Sequence, residues 1–107
     1  MQTPPFQNEV AIITGAGQGI GFAIARRLAM QGAKVLLNDL DESLAFSAAE
    51  KIQHEGGDCI AFAGDASDIS FIKSAVKEAV KNFGKLTIAI PNAGITLYGD
   101  FFSYPPE

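Results

Sequence analysis

Short apolar runs alternate with longer amphipathic stretches along this chain, and the alternation fixes the expected order of its elements. The runs Val10 to Ile13, Val35 to Leu37, Ile60 to Ala63 and Leu86 to Ile90 are β-branched or apolar and bounded by turn residues. Unbroken apolar runs of this length predict strands buried on both faces. Three helical segments lie between them. The first carries Ile20, Ile24 and Leu28 four residues apart and is closed by Gly32 as a C-terminal cap. The second opens at Asp41, a good N-cap, and stops at Gly56-Gly57. The third presents Ile69, Ile72, Val76 and Val80 on one face behind Ser67-Asp68 and ends at Gly84.

Strict alternation of strand and helix, with crossovers long enough to return the chain to a parallel neighbour, predicts β-α-β-α-β-α-β in an α/β doubly wound sheet. With the strand order 3-2-1-4, the chain reverses direction between the first and fourth strands, and the crevice at that switch point is where such sheets bind ligands. The segment Met1 to Asn8, with Pro4-Pro5, reads as a loosely held lead-in.

Composition narrows the partners. At 107 residues the chain suffices for one core, and its net charge of −4 comes with Lys and Arg scattered along the sequence, which disfavours nucleic acid and anionic membrane as partners. No stretch is apolar for long enough to cross a bilayer and the N-terminus has no basic and apolar leader pattern, so a cytoplasmic protein is expected. Cys59 is the one cysteine, which rules out an intrachain disulfide or a multi-Cys metal site and suits a small buried hydrophobe.

The candidate chemistry clusters at the strand ends. Thr14-Gly15-Ala16-Gly17-Gln18-Gly19-Ile20-Gly21 joins the first strand to the first helix. Glycines there let main-chain N–H groups approach an anion, and the helix start adds free donors and a partial positive charge. The strict Gly-x-Gly-x-x-Gly pattern is absent, and no Gly-Lys-Ser/Thr closes the run as a nucleoside-triphosphate loop would require. Asp39, 18 residues beyond Gly21, directly follows the second strand, where a carboxylate can accept both hydroxyls of an adenosine ribose. It would repel a 2′-phosphate, and positions 18, 38 and 40 hold no Lys or Arg to offset it, so NAD is expected over NADP. Asp65 can accept an adenine amino group, or Asp65-Ala66-Ser67-Asp68 can serve only to cap the third helix through Ser67 or Asp68. After the fourth strand, Pro91-Asn92-Ala93-Gly94 sets small residues beside the glycine turn. His54 reads as a solvated residue near a helix C-terminus, and Asp41 and Glu42 as a charged first turn.

Taken together, these segments resemble the short-chain dehydrogenase/reductase family from about Glu9 onward, through Thr14-Gly15-x-x-x-Gly19-Ile20-Gly21, Asp39, Asp65 and Asn92-Ala93-Gly94. The resemblance implies a Rossmann-type NAD-binding domain over residues 1–107, with the dinucleotide held by Gly15, Gln18, Gly19, Ile20, Gly21, Asp39, Asp65, Ala66, Asn92, Ala93 and Gly94. It also implies hydride transfer between nicotinamide and an alcohol or ketone, and a homo-oligomer. Pro91 departs from the family's Asn-Asn-Ala-Gly and removes a backbone donor. The family's catalytic Asn, Ser and Tyr-x-x-x-Lys are expected past Glu107: Tyr98 is followed four residues on by Phe102, and Tyr104 has no position four residues on. Ser103-Tyr104-Pro105-Pro106-Glu107 reads as a helix entrance, so the expectation is the cofactor-binding part of a longer enzyme, inactive by itself, with a sticky fourth-strand edge. The competing readings are a nucleotide-binding or interaction module without catalysis and a methyltransferase. Phe101, Phe102 and Tyr104 fit a substrate loop or a packing surface equally.

Overall fold

The computed structural model describes residues 4–92, and within them four parallel strands alternate with three helices: β1 (Val10–Ile13), α1 (Gly19–Met30), β2 (Lys34–Leu37), α2 (Glu42–His54), β3 (Asp58–Ala61), α3 (Ile69–Phe83) and β4 (Ile88–Ile90). The sheet order is β3-β2-β1-β4. The pairing register runs from Val10↔Lys34 to Ile13↔Leu37 on one side of β1 and from Ala11↔Ile88 to Ile13↔Ile90 on the other. This is the doubly wound, Rossmann-like order that the alternation predicts.

The side-chain period of two divides the central strands between two cores. Ala11, Ile13, Val35 and Leu37 pack with Ala25, Leu28 and Ala29 of α1 and Ala45, Ala48 and Ile52 of α2. Val10, Ile12 and Leu36 point the other way and meet Ala75 and Ala79 of α3. α1 and α2 therefore cover one face and α3 the other, which puts the reversal of winding between β1 and β4.

Several expected boundaries and faces move. β3 begins at Asp58, not Ile60, because Lys34↔Asp58 and Cys59 opposite Val35 extend the ladder backward, while Cys59 fills the α1/α2 core. β4 begins at Ile88, not Leu86: the Thr87 hydroxyl takes the Val10 N–H at 2.8 Å, the donor a longer ladder would use. β3 and β4 flank the sheet among the described residues and are not buried on both faces, Ala61 and Ala89 being exposed. Ile20, Ile69 and Val80, expected on buried helical faces, are 70%, 74% and 45% exposed. In α3 the stripe against the sheet is Phe71, Ala75, Val76, Ala79 and Phe83, which keeps Val76 of the expected set. The lead-in is held, not loose, over its described part: the Phe6 N–H donates to Gln31 O at 2.9 Å and its ring packs on the core.

Candidate functional site

Parallel strands bring their C-terminal ends to one edge, and here the loops after β1, β2, β3 and β4 are bonded to one another. The first loop turns sharply, with φ of +61° at Gly15 and +65° at Gly19, left-handed conformations that cost glycine little. A Cβ built on Gly19 would meet nothing within 4 Å, so the turn faces open space there. Gln18 is the extended N-cap of α1, its side chain caps nothing, and the first turn of α1 has no acid. The other two helices differ: Asp41 Oδ1 accepts from Leu44 N at 3.1 Å and Asp68 Oδ1 from Ser70 N at 2.9 Å. Helix geometry leaves the leading N–H groups of α1 without intrahelical acceptors, aimed at whatever lies beyond the glycine turn.

Two contacts lock this turn to β4. Asn92 Nδ2 donates to Gly15 O at 2.9 Å, and Thr14 N to Ile90 O at 3.1 Å. A Cβ on buried Gly21 would overlap Asn92 Nδ2 and lie 2.5 Å from Gly15 O, so only glycine lets α1 approach this closely. Pro91 donates nothing, and the bonds on either side of it hold the strand end.

Asp39 sits half-buried after β2, with Oδ2 accepting the Gly17 N–H at 2.9 Å and Oδ1 the Asp41 N–H at 3.0 Å. Each carboxylate oxygen keeps further acceptor capacity. Beside it, Asn38 is 1% exposed and ties three loops together. Its Oδ1 accepts Gly15 N–H at 3.3 Å, and its Nδ2 donates to Phe62 O at 2.9 Å and Gly64 O at 3.1 Å.

Asp65 lies after β3 and is exposed. Its Oδ1 accepts from the Ser67 hydroxyl at 2.6 Å and the Ser67 N–H at 2.9 Å, and the hydroxyl foremost, with the N–H, holds its carboxyl below the ordinary value. Of the two capping candidates, Asp68 caps α3. Ala66 is half-buried next to Asp65, and Ile20 and Leu40, 70% and 74% exposed, add apolar surface at the start of α1 and after β2. The structure thus bonds Gly15 to Asn92 and Gly17 to Asp39, whereas the Asp65 carboxylate turns to Ser67 and joins the group through the backbone, Gly64 N donating to Asp39 O at 3.0 Å. Ala93, Gly94, Tyr98, Phe101, Phe102 and Tyr104 lie outside the described residues.

Sequence reasoning missed Gly17 and Asn38. A polar amide ending an apolar strand run was the available signal for Asn38. Cys59 is 3% exposed, and burial pushes its thiol up to about 12, which removes it as a nucleophile. His54 is exposed in the last turn of α2. A hollow of about 410 Å³ lined by Glu42, Ser43, Phe46, Ala61 and Ala63 lies between α2 and β3 and includes none of the strand-end residues above. The cluster offers main-chain donors for an anion, a fixed carboxylate for a pair of hydroxyls, and small and apolar surface between them. No helix among the described residues is long and apolar enough to cross a membrane.

The family model for short chain dehydrogenase matches residues 9–107. Elsinochrome reductase 1 of Elsinoe fawcettii is 37% identical over 100 residues, covering 92% of this chain and 38% of that protein. An L-rhamnose 1-dehydrogenase (NAD(P)(+)) of Azotobacter vinelandii is 38% identical over 104 residues, 94% of this chain and 41% of its own length. The crystal structure of a hydroxysteroid dehydrogenase from Escherichia coli superposes with a TM-score of 0.76 at 33% identity, covering 78% of this chain and 36% of that one. The chain thus spans well under half the length of these relatives.

Proposed function

Because this chain belongs to the short chain dehydrogenase family, we propose that residues 1–107 form the NAD-binding part of an oxidoreductase that moves hydride between nicotinamide and a small alcohol or ketone. The observation that carries this reading is the bonded pair at the strand ends: a glycine turn opening an uncapped helix, and a carboxylate fixed by that same turn at 2.9 Å.

The residues fit such a cofactor. Main-chain groups of Gly15, Gln18, Gly19, Ile20 and Gly21 would take the diphosphate at the positive end of α1. Asp39 would accept the two hydroxyls of the adenosine ribose and exclude a 2′-phosphate by charge. Asp65 and Ala66 would bound the adenine, and Asn92, Ala93 and Gly94 would leave room for the flat part of the dinucleotide. When bound, nicotinamide supplies the hydride acceptor or donor. The 107 residues contain no Tyr-x-x-x-Lys pair, so the role assigned to them is binding and orientation, and turnover, cytoplasmic location and homo-oligomeric assembly belong to the reading of the whole enzyme.

Titration of NAD and NADP against the parent, Asp39→Ala and Asp39→Arg tests the assignment. The parent favours NAD, and Asp39→Arg shifts the balance toward NADP by about one to two decades, the scale of a charge conflict relieved or created. A parent that binds NADP as well as NAD overturns the assignment of Asp39.

A further inference from the structure

The acid that would read the ribose does not stand by itself, and the residue that places it has no side chain. The Gly17 N–H donates to Asp39 Oδ2 at 2.9 Å, while Oδ1 is held from the other side by the Asp41 N–H at 3.0 Å. A Cβ on Gly17 would come within 2.8 Å of Oδ2, 3.0 Å of the carboxyl carbon and 2.8 Å of Leu44 Cβ. Gly17 is not among the glycines at positive φ. No left-handed backbone conformation therefore calls for glycine here, and what excludes a side chain is the space taken by Asp39 and Leu44.

From this we infer that Gly17 is the positioning residue for Asp39, setting the offset between the diphosphate cradle and the ribose acceptor and with it the discrimination against a 2′-phosphate. The inference rests on the reading of Asp39 as the ribose acceptor. Leu44 Cβ belongs to the first turn of α2, which Asp41 caps, so it cannot move without that helix. The Asp39 carboxylate is the freer neighbour. A methyl at position 17 therefore rotates the carboxylate away from the turn and, because the overlap with Leu44 Cβ remains, also shifts the turn against the start of α2. The charge-assisted bond is given up and the place where a 2′-phosphate would sit is opened.

NADH and NADPH affinities, measured by fluorescence titration on the whole protein, test this in the parent, Gly17→Ala, Asp39→Ala and the double variant. Gly17→Ala is expected to weaken NADH about tenfold and NADPH by much less, and to add nothing once Asp39 is alanine, the non-additivity of residues acting as a unit. The ratio of the two affinities is read on the folded population and does not follow general destabilisation. Equal weakening of both dinucleotides, or additive losses in the double variant, overturns the inference while leaving Asp39 as the reader. If Asp39→Ala leaves the NADH to NADPH ratio unchanged, the reading of Asp39 fails first. Should Gly17→Ala not fold, Asp39→Glu probes the same spacing by pushing the carboxylate one methylene further into Gly17. A narrowed preference supports the inference, and an unchanged one overturns it.

Discussion

At the scale of single residues, the strand ends are held together by Asn38, whose side-chain polar atoms are all engaged. Asn38 accepts one N–H and donates to the carbonyls of Phe62, Gly64 and, at 3.5 Å, Asp39 while fully buried, so no water is needed to complete its bonding. Cys59 shows the opposite chemistry, a thiol in an apolar core with its ionisation pushed up to about 12 from 9.0. The unfolded chain releases this proton near pH 9 and the native chain only near pH 12, so between them the native state binds more protons. The stability that Cys59 contributes through this proton is complete below pH 9 and is lost as pH rises toward 12. Urea unfolding of the parent and Cys59→Ala at pH 8 and pH 10.5 is expected to show the parent losing more stability over that interval. Parallel losses would show that the thiol ionises freely in the fold. Burial of the lone cysteine was legible from its residue type, as was Asp39 from its place after an apolar run. Asn38 and Gly17 were not, because their roles are tertiary: each is defined by a partner 22 to 26 residues away.

At the scale of elements, α3 separates what periodicity can tell from what it cannot. Ile69, Ile72, Val76 and Val80 fall at helical spacing, and a helix is indeed there, but the surface nearest the sheet is lined by Ala75 and Ala79. Small residues let the helix sit close over Val10, Ile12 and Leu36, and a scale that rewards large apolar side chains finds Val76, which packs here, but misses the alanines and adds the exposed Ile69 and Val80. Ala79→Leu is therefore expected to overpack this interface and cost about 1 to 3 kcal/mol, whereas Val80→Ala should stay within about 0.5 kcal/mol, as exposed positions do. Denaturant midpoints of the two variants check this, and a larger loss at Val80 would restore the stripe expected from sequence. Helix ends were more legible than strand ends. Asp41, Asp68 and Gly84 act locally, through a bond to the next turn or a left-handed φ of +87°. The starts of β3 and β4 depend on which partner atom is free across the sheet, as Thr87 and Val10 show.

At the scale of the whole molecule, the net charge has the same sign as the proposed ligand. The chain carries a net charge of −4, and the strand-end segments 14–18, 38–41, 62–68 and 91–92 contain acids but no Lys or Arg. A diphosphate approaching this edge is attracted by short-range terms, the N–H groups and dipole of α1, against a weak long-range repulsion from the molecule. The two respond differently to salt. Long-range terms between exposed charges fade once the screening length falls to about 8 Å near physiological ionic strength, while contacts at bonding distance are screened far less. NADH affinity is therefore expected to change by less than about twofold, or to tighten, when salt rises from about 0.02 to about 0.3 M. A site built on basic side chains would weaken markedly over the same range. Isothermal titration at the two salt concentrations decides between them, and a tenfold loss of affinity would mean that cationic groups elsewhere in the protein, not the uncapped helix, supply the attraction.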